Sequence, residues 1–583
     1  MTETNFTLIT NAVELQNAVT ELATQHAIGI DTETTGLDPY YSRIRLLQMA
    51  SPERSYVVDL FKVDAFAHQG LRILLEASRP VKVLHNAKFD YKMIKHLTGI
   101  EMGPMFDSML ADIIVLAGKS GSHSLASCCE RYLDKSIDKS LQTSDWSGPL
   151  SEGQLEYAAL DTVLTLQLRE RLIPQLKESG LIDTAKLEFD SIAPIATMEL
   201  NGVYLDADCW RAVVKHSEEG YNKIAAELKE ELAAGVAQRN LFGEPDINLD
   251  SPSQILDAVK RITGLDIEGT RASALHPLAA QYPVIQKLLE YRTAQKSVTS
   301  YGENVLRYIN KKTGRIHADF FQIGTPSGRM SCHDPNLQQV PNSPEYRSCF
   351  KAPPGRKLII ADYSQIELRI LAEFSQDKKL LDGFNKGIDL HRMTASQMLN
   401  IPFDEITKDQ RDAAKRLNFG LIYGMGAQGL SNQINVSVEE AEGMIQQYFK
   451  AYSGVHRWLT DAGDAAVRDR QCRTKLGRLW QFDFDSNDRS AVAAYIRAGK
   501  NFPFQGTNAD ITKRALVLMF QPLSRLNAMV VNCIHDEIVV EASAENAEEV
   551  AATVEQAMVT AGQETLKSVP TVVNTVISDC WIK

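Results

Sequence analysis

"LIIADYSQIELRI" occupies Leu358–Ile370 and poses the central problem of this chain. Leu358, Ile359, Ile360 and Ala361 suit a strand buried on both faces, yet the run ends on Asp362, and Glu367 then sits among Ile366, Leu368 and Ile370. An unpaired carboxylate in such surroundings is costly, so a charge placed there is paired or metal-bound. Far downstream, "AMVVNCIHDEIVVEA" (Ala528–Ala542) reads as a hairpin with His535, Asp536 and Glu537 at its tip. Laid beside the first strand, it puts Asp362 and Asp536 within reach of shared metal ions. Taken alone, the His-Asp-Glu turn is equally well a plain solvent-exposed turn.

"QRDAAKRLNFGLIYGMG" (Gln410–Gly426) shifts that balance. Arg411, Lys415, Phe419 and Tyr423 are spaced by four, and each step drifts only about 40° around a helix of 3.6 residues per turn. Two cations and two aromatics therefore share one face. Cations suit a triphosphate, and an aromatic ring suits a stacked base or sugar. The preceding stretch, Ile323–Gly355, holds six prolines and three glycines and cannot be one regular element. Its Arg329, Asn336, Gln338, Gln339 and Arg347 suit hydrogen bonding to a backbone or a groove.

The N-terminal third carries a second set of acids. "HAIGIDTETTGLD" (His26–Asp38) predicts a strand with Asp31 and Glu33 at its end, two residues apart and so on one face. "VKVLHNAKFDYKMI" (Val81–Ile94) predicts a strand followed by Asp90 at a helix start, and "LEYAALDTVLTLQL" (Leu155–Leu168) a helix with Tyr157 and Asp161 on one face. Any one of these acids alone is best read as a turn or cap residue. Together, four hard oxygen ligands suit paired Mg²⁺ or Mn²⁺ rather than zinc. Two such ions about 3.5–4 Å apart activate a water and stabilise the leaving oxygen of a phosphodiester. Tyr157 is placed to orient that water.

With 583 residues the chain exceeds one ordinary domain. A composition 44% apolar and 23% charged, without low-complexity tracts, is that of a soluble globular protein. No signal-peptide pattern opens the chain and no apolar run is long enough to span a bilayer. Eight scattered cysteines argue against a zinc site or disulfide framework and for a reducing compartment. A net charge of −12 argues against coating nucleic acid, but leaves room for a local basic cleft with acids for metal. From Thr162 to Leu200 the pattern is helical; residues 205–310 read as charged helices broken at Phe242–Gln254, with a helix cap at Ser251 or Ser253.

The N-terminal set resembles the proofreading 3′–5′ exonuclease superfamily with a tyrosine in its third motif, which also includes ribonuclease D-like enzymes. The matching residues are Asp31, Glu33, Asp90, Tyr157 and Asp161; by the same resemblance Leu37, Asn86 and Phe89 contact the frayed 3′ end. No acid is missing, which implies an active site. Over nearly its whole length the chain resembles the family A DNA polymerases, the bacterial polymerase I class. "DYSQIELR", "RDAAKRLNFGLIYG" and "HDE" match the first palm motif, the fingers helix and the second palm motif, and "TPSGRMSCHDPNLQQVP", "DLHRMTA" and "RAGKNFPFQGTNADITK" extend the match.

The resemblance implies an α/β multidomain fold: a ribonuclease H-like exonuclease domain over 1–190 and a right-hand polymerase domain over 191–583, with the thumb at about 205–320, the fingers at about 375–500 and the palm from the remainder. It implies that Asp362, Tyr363 and Asp536 hold two Mg²⁺ ions, with Mn²⁺ able to substitute, which activate the primer 3′-hydroxyl and bind the departing pyrophosphate. Arg411 and Lys415 would bind the triphosphate, Lys415 also protonating the leaving group. Phe419 would pack on the sugar, Tyr423 near the template base, and Gln365 and His391 would line the nucleotide site. Arg329, Asn336, Arg497, Asn501, Gln505 and His535 would lie along the primer–template. Glu367 would exclude a ribonucleotide 2′-hydroxyl and pair with Tyr423. The implied partners are primer–template DNA and dNTPs, with no membrane, for a monomer in the cytoplasm at the nucleoid or, if virus-encoded, in the host cytoplasm.

The chain departs from the family pattern in three places. It begins at the proofreading domain, so no 5′-nuclease domain is expected; Asp412 stands where many relatives keep a cation after the arginine; and Phe502 stands where many have a small residue before the proline of "NFPF". Of the rivals, a ribonuclease D-like exonuclease with an inert C-terminal domain predicts lost palm acids. A structural DNA-binding protein predicts missing metal ligands in at least one site. A single-subunit RNA polymerase is opposed by the proofreading domain and Glu367.

Overall fold

The computed structural model describes residues 5–138, 140–141, 144–233, 247–279, 281–434 and 436–582. Residues 242–246 of the break expected at Phe242–Gln254 lie outside them. The described part of that segment ends as expected, with Ser251 capping helix Pro252–Thr263 and accepting a hydrogen bond from the Gln254 N–H.

The N-terminal half of the architecture is a six-stranded mixed sheet. Its spatial order is Phe6–Ile9, Ser55–Asp59, Ile44–Ala50, Ala27–Thr34, Val81–Leu84 and Met105–Asp107. Every residue of Ile44–Ala50 is buried, as expected of a strand covered on both faces. Asp31 and Glu33 lie in the second half of strand Ala27–Thr34, Glu33 next to its last residue. Helix Glu152–Glu178 crosses this strand so closely that a Cβ on Gly29 would collide with the carbonyl of Thr162. That contact brings Tyr157 and Asp161 over Asp31.

The C-terminal part is built on a four-stranded antiparallel sheet ordered Met529–Ile534, Glu537–Ser543, Arg356–Tyr363, Val573–Ser578. The apolar run of the opening stretch is the centre of this sheet, Leu358–Ala361 being 0–1% exposed. Asp362 faces Glu537 on one side and Asn574 on the other. Helix Ala547–Thr565 packs on this sheet and on the 37-residue helix Arg489–Arg525.

Two helical groups flank the sheet. Helices Ala207–Leu232, Pro252–Thr263, Ala272–Ala279 and Pro283–Ser300 enclose a core of their own around Leu228, Val259, Leu288 and Tyr291. Helices Leu390–Leu399, Lys408–Ile422, Ala427–Ile434, Val438–Ala451 and Ser453–Asp469 form the other group. Residue 190 lies inside the continuous helix Ile182–Asn201, which packs against helix Ala87–Thr98 on one side and helix Arg489–Arg525 and strand Met529–Ile534 on the other.

Glu537, next to Asp536, is 3% exposed and serves the fold. Its Oε1 accepts from the Trp581 indole N–H at 2.7 Å and lies 3.5 Å from Arg347 Nη1. Arg347 in turn stacks 4.3 Å over the Trp581 ring. Sequence reasoning offered Arg347 to a backbone or groove; the fold instead uses its guanidinium to balance a buried carboxylate. Trp581→Phe keeps an aromatic ring there but deletes a donor to that carboxylate. Chemical denaturation should register a loss of about 1–3 kcal/mol, the cost of depriving a buried polar group of a partner.

Candidate active sites

The four N-terminal acids gather at one cleft, three of them on its surface. Asp31, Glu33 and Asp161 border a cavity of about 630 Å³ together with Tyr157, Leu37, Asn86 and Phe89. Asp90, in the first turn of helix Ala87–Thr98, is buried behind them and accepts from Thr32 Oγ1 at 2.6 Å. Leu37 is 82% exposed, an apolar side chain held in solvent at the cleft mouth. Asn86 stands in the left-handed region at φ 64°, its N–H and that of Ala87 bonded to the Asp107 carboxylate. Sequence reasoning passed over Asp107 and Thr32. The signal was present for Asp107, a strand-end acid capping the next helix.

Burial, with like-charge repulsion second at most positions, raises proton affinity at Asp31, Glu33, Asp90 and Tyr157. Burial, then repulsion from Asp90, Glu33 and Asp161, pushes Asp31 well above the carboxylate range. Burial followed by Asp161 and Asp90 lifts Glu33 to about 9, and burial lifts Asp90 to about 7 against the Thr32 hydrogen bond. The Tyr157 hydroxyl is raised by burial, then by Asp161 and Glu33. Among the described residues, no three His, Cys, Asp or Glu side chains are closed up as a ready metal shell. The donor set nevertheless fits divalent cations: carboxylate oxygens only, in a cleft whose negative charge repels itself.

The second site gathers around the end of strand Arg356–Tyr363 and the Asp536 turn, with the end of helix Lys408–Ile422 tied in through the Tyr423–Glu367 hydrogen bond. Asp536 occupies the two-residue turn between Met529–Ile534 and Glu537–Ser543, with His535 at φ 55°. The Tyr363 N–H approaches the Asp536 carbonyl at 3.5 Å, which sets Asp362 beside that turn. Tyr363 offers no phenolic ligand. Its hydroxyl is buried, donating to Met558 O at 2.8 Å, and only its main-chain carbonyl remains for a cation.

Glu367 sits in the first turn of helix Ile366–Ser375 and is fully engaged. Its Oε1 accepts from Arg329 Nη2 at 2.5 Å, and its Oε2 accepts from the Tyr423 hydroxyl. The expected pair with Tyr423 is present. Arg329, expected along the primer–template, is tied to Glu367, a contact its place in a proline-rich loop did not reveal.

The helix face read from the sequence is largely realised. Lys415, Phe419 and Tyr423 line a cavity of about 570 Å³ with Arg416 and Gly424. Tyr423 is the residue that ends the helix rather than part of it, yet stays on the same face. Arg411, one turn back, binds Asp389 Oδ2 through Nε at 2.6 Å and lies 3.4 Å from Asp412. Asp389 also caps helix Leu390–Leu399. It stands in "DLHRMTA", but nothing in one sequence couples it to an arginine 22 residues on.

His391 does not face the cavity. It is 2% exposed, with Nδ1 3.0 Å from Asn418 Nδ2, and burial lowers it to about 4. Its ring lies 5.8 Å from that of Phe419, so it backs the Phe419 ring instead of lining the cavity. Gln365, at φ 55°, begins helix Ile366–Ser375. Arg497, Asn501 and Gln505 recur every four residues on helix Arg489–Arg525. The Arg497 stem passes beside Gly424, and Asn501 Nδ2 donates to Tyr423 O at 3.4 Å. His535 borders a small cavity with Arg329. Asn336 accepts from the Gln338 N–H at 3.1 Å in its own turn. Phe502, which stands where many relatives have a small residue, is buried against Trp480.

Two family models divide the chain: "3'-5' exonuclease" over residues 6–177 and "DNA polymerase family A" over residues 218–583. The chain belongs to DNA polymerase family A. It is 33% identical to DNA polymerase I of Aquifex aeolicus across 99% of this chain and all of that protein. It is 32% identical to DNA polymerase I of Pseudomonas aeruginosa across 95% of this chain, though it spans only 63% of that relative. A solved structure, the POL domain of Pol1 from M. smegmatis in complex with DNA primer-template and dNTP, superposes with a TM-score of 0.85 at 27% identity, covering 98% of this chain and 99% of that one. The polymerase therefore carries an exonuclease domain ahead of its family A domain. Among the described residues no helix is long and apolar enough to cross a membrane.

The exonuclease cleft makes a pH prediction. A carboxylate whose folded pKa is raised stabilises the fold fully below its unfolded value, and that contribution drains away as pH climbs through the folded value. For Glu33 the window runs from 4.5 to about 9. With divalent ions chelated, the melting temperature of the polymerase should fall across that window. Glu33→Gln should flatten the slope and weaken the stabilisation that added Mg²⁺ gives at pH 8.

Proposed function

We propose that this polymerase extends a DNA primer with dNTPs at Asp362 and Asp536 and degrades mispaired 3′ ends at Asp31, Glu33, Asp90 and Asp161. The observation that carries the first half is an arrangement of three elements: strand Arg356–Tyr363, whose Asp362 stands beside the turn bearing Asp536, and the helix whose Lys415 and Phe419 line a cavity with Tyr423, itself hydrogen-bonded to Glu367 just past that strand. Support for the DNA and dNTP partners comes from the ligands named for the M. smegmatis relative. We assign residues 1–190 to the exonuclease domain and 191–583 to the polymerase domain, with the thumb at about 205–320 and the fingers at about 375–500. The separate core of the helices between Ala207 and Ser300 supports the thumb assignment.

Asp362, Asp536 and the Tyr363 carbonyl would hold Mg²⁺ at the polymerase site, and the four acids of the cleft would hold it at the exonuclease site. Mn²⁺ suits the same hard oxygen donors. Bound ions would supply the positive charge that activates the attacking oxygen and stabilises the leaving one. Lys415 is exposed on its helix and free to swing toward a triphosphate. Arg411 must leave Asp389 to join it. Phe419 and Tyr423 offer flat faces to sugar and base. In the exonuclease cleft, exposed Leu37 and half-buried Phe89 wedge and stack the 3′ terminus while Tyr157 orients water. The polymerase acts as a monomer in the cytoplasm.

The two activities should separate by mutation, because their acids gather around different sheets. Asp536→Ala should cut primer extension by about 10³-fold or more, the scale of losing a group that acts only in the transition state. It should leave degradation of single-stranded DNA intact. Asp31→Ala with Glu33→Ala should do the reverse. Loss of both activities in either folded variant would contradict two independent sites. Glu367→Ala should raise the rNTP-to-dNTP ratio of kcat/KM while slowing dNTP use, since Tyr423 and Arg329 both lose their acceptor. An equal fall for both substrates would instead mark Glu367 as a metal or structural residue.

A further inference from the structure

Arg478 lies 3% exposed at the meeting point of both halves of the chain. Its Nε and Nη2 reach Asp510 Oδ1 at 2.9 and 2.7 Å, and Nη2 also binds Glu188 Oε1. Glu188, 0% exposed, further accepts from Lys513 Nζ and Gln322 Nε2, each at 2.6 Å. Two cations and two anions thus balance inside the protein, where breaking such a pair is costly. Glu188 comes from helix Ile182–Asn201, Asp510 and Lys513 from helix Arg489–Arg525, and Arg478 from the turn before strand Leu479–Gln481.

The guanidinium also supports a loop. Gly328, at φ 80°, rests directly on it: a Cβ there would stand 2.5 Å from Arg478 Cζ. The next residue is Arg329, whose Nη2 holds Glu367 Oε1. Glu367 is therefore fixed by two donors from separate elements, Tyr423 from the helix end and Arg329 from this loop. With Arg329 displaced, the carboxylate could pivot about its remaining bond to Tyr423.

We propose that Arg478, clamped by Glu188 and Asp510, is a positioning residue for sugar discrimination: it seats the Gly328 turn so that Arg329 holds Glu367 in place. The residue touches no substrate and acts through Arg329. A lysine cannot replace it, because only the planar fork spans two carboxylates and still presents a flat surface to Gly328. The inference rests on the polymerase reading and on Glu367 selecting the sugar.

Two variants test it from opposite sides. Arg478→Lys removes the fork; Gly328→Ala pushes the turn away and keeps every buried charge, so it decides the question if Arg478→Lys does not fold. Single-nucleotide insertion on one primer–template should show the rNTP-to-dNTP ratio of kcat/KM rising about tenfold in each, since discrimination is a difference in transition-state binding. Combined with Arg329→Ala, either variant should add little, because both act through one contact and are not additive. An equal fall in rNTP and dNTP use, or effects that multiply with Arg329→Ala, would overturn the proposal and leave a purely structural role. Wild-type protein that failed to extend the primer at all would overturn the polymerase reading instead. Wild-type extension with an unchanged ratio in both variants would overturn this inference alone.

Discussion

The antiparallel pairing of Arg356–Tyr363 with Glu537–Ser543 is the constraint on which the polymerase site depends. Side chains alternate along a strand, so a slip of one residue would turn the set to the opposite face. In the observed register Asp362 faces Glu537 at the last rung. The apolar residues before it fill the core, and the acid emerges where the strand runs out. The two-residue turn then leaves Asp536 no choice but to stand beside it. Glu537, one position later, falls inward and is held by Trp581 and Arg347. The acid in the turn and the acid that opens the next strand thus take different surroundings, set by strand parity.

Burial of charge is handled in two contrasting ways. At the junction every buried ion has a partner. Glu188 meets Arg478 and Lys513, while Glu199 meets Lys88 at 2.6 Å and Lys92 at 2.5 Å, Lys88 also reaching Asp319 at 2.6 Å. Both glutamates lie on helix Ile182–Asn201. Glu188 ties that helix to Arg478 and helix Arg489–Arg525, and Glu199 ties it to helix Ala87–Thr98, by interactions that hydrophobic contact alone would not orient. In the exonuclease cleft, by contrast, burial first and the crowding of like charges second raise the proton affinity of Asp31 and Glu33. A folded protein tolerates such crowding where a ligand of opposite charge relieves it.

Glu367 belongs to the first regime although it sits near the second site. Its two oxygens are taken by Arg329 and Tyr423, which makes it a fixed wall rather than a ligand awaiting a cation. The same economy governs Arg411, held by Asp389, and His391, sealed behind Phe419. Cations and rings that would meet a nucleotide are held by neighbours, and movement of helix Lys408–Ile422 would have to exchange those partners.

The sequence by itself determined the elements and most of the chemistry. Strand-forming runs ending in Asp362 and Asp536, the four-residue spacing of Arg411, Lys415, Phe419 and Tyr423, and the separation of Asp31 from Glu33 are local patterns, and local patterns survive folding. The ends of elements were less legible: Tyr423 lies just past its helix. What only the tertiary structure decided is which polar side chain meets which. Arg329 and Arg347 look alike in a proline-rich loop, yet one reaches Glu367 and the other Glu537. Glu188 and Arg478, separated by 290 residues, carry no pattern that links them. Such pairs depend on where distant elements come to rest, and on the cost of leaving a buried charge unmatched once they have.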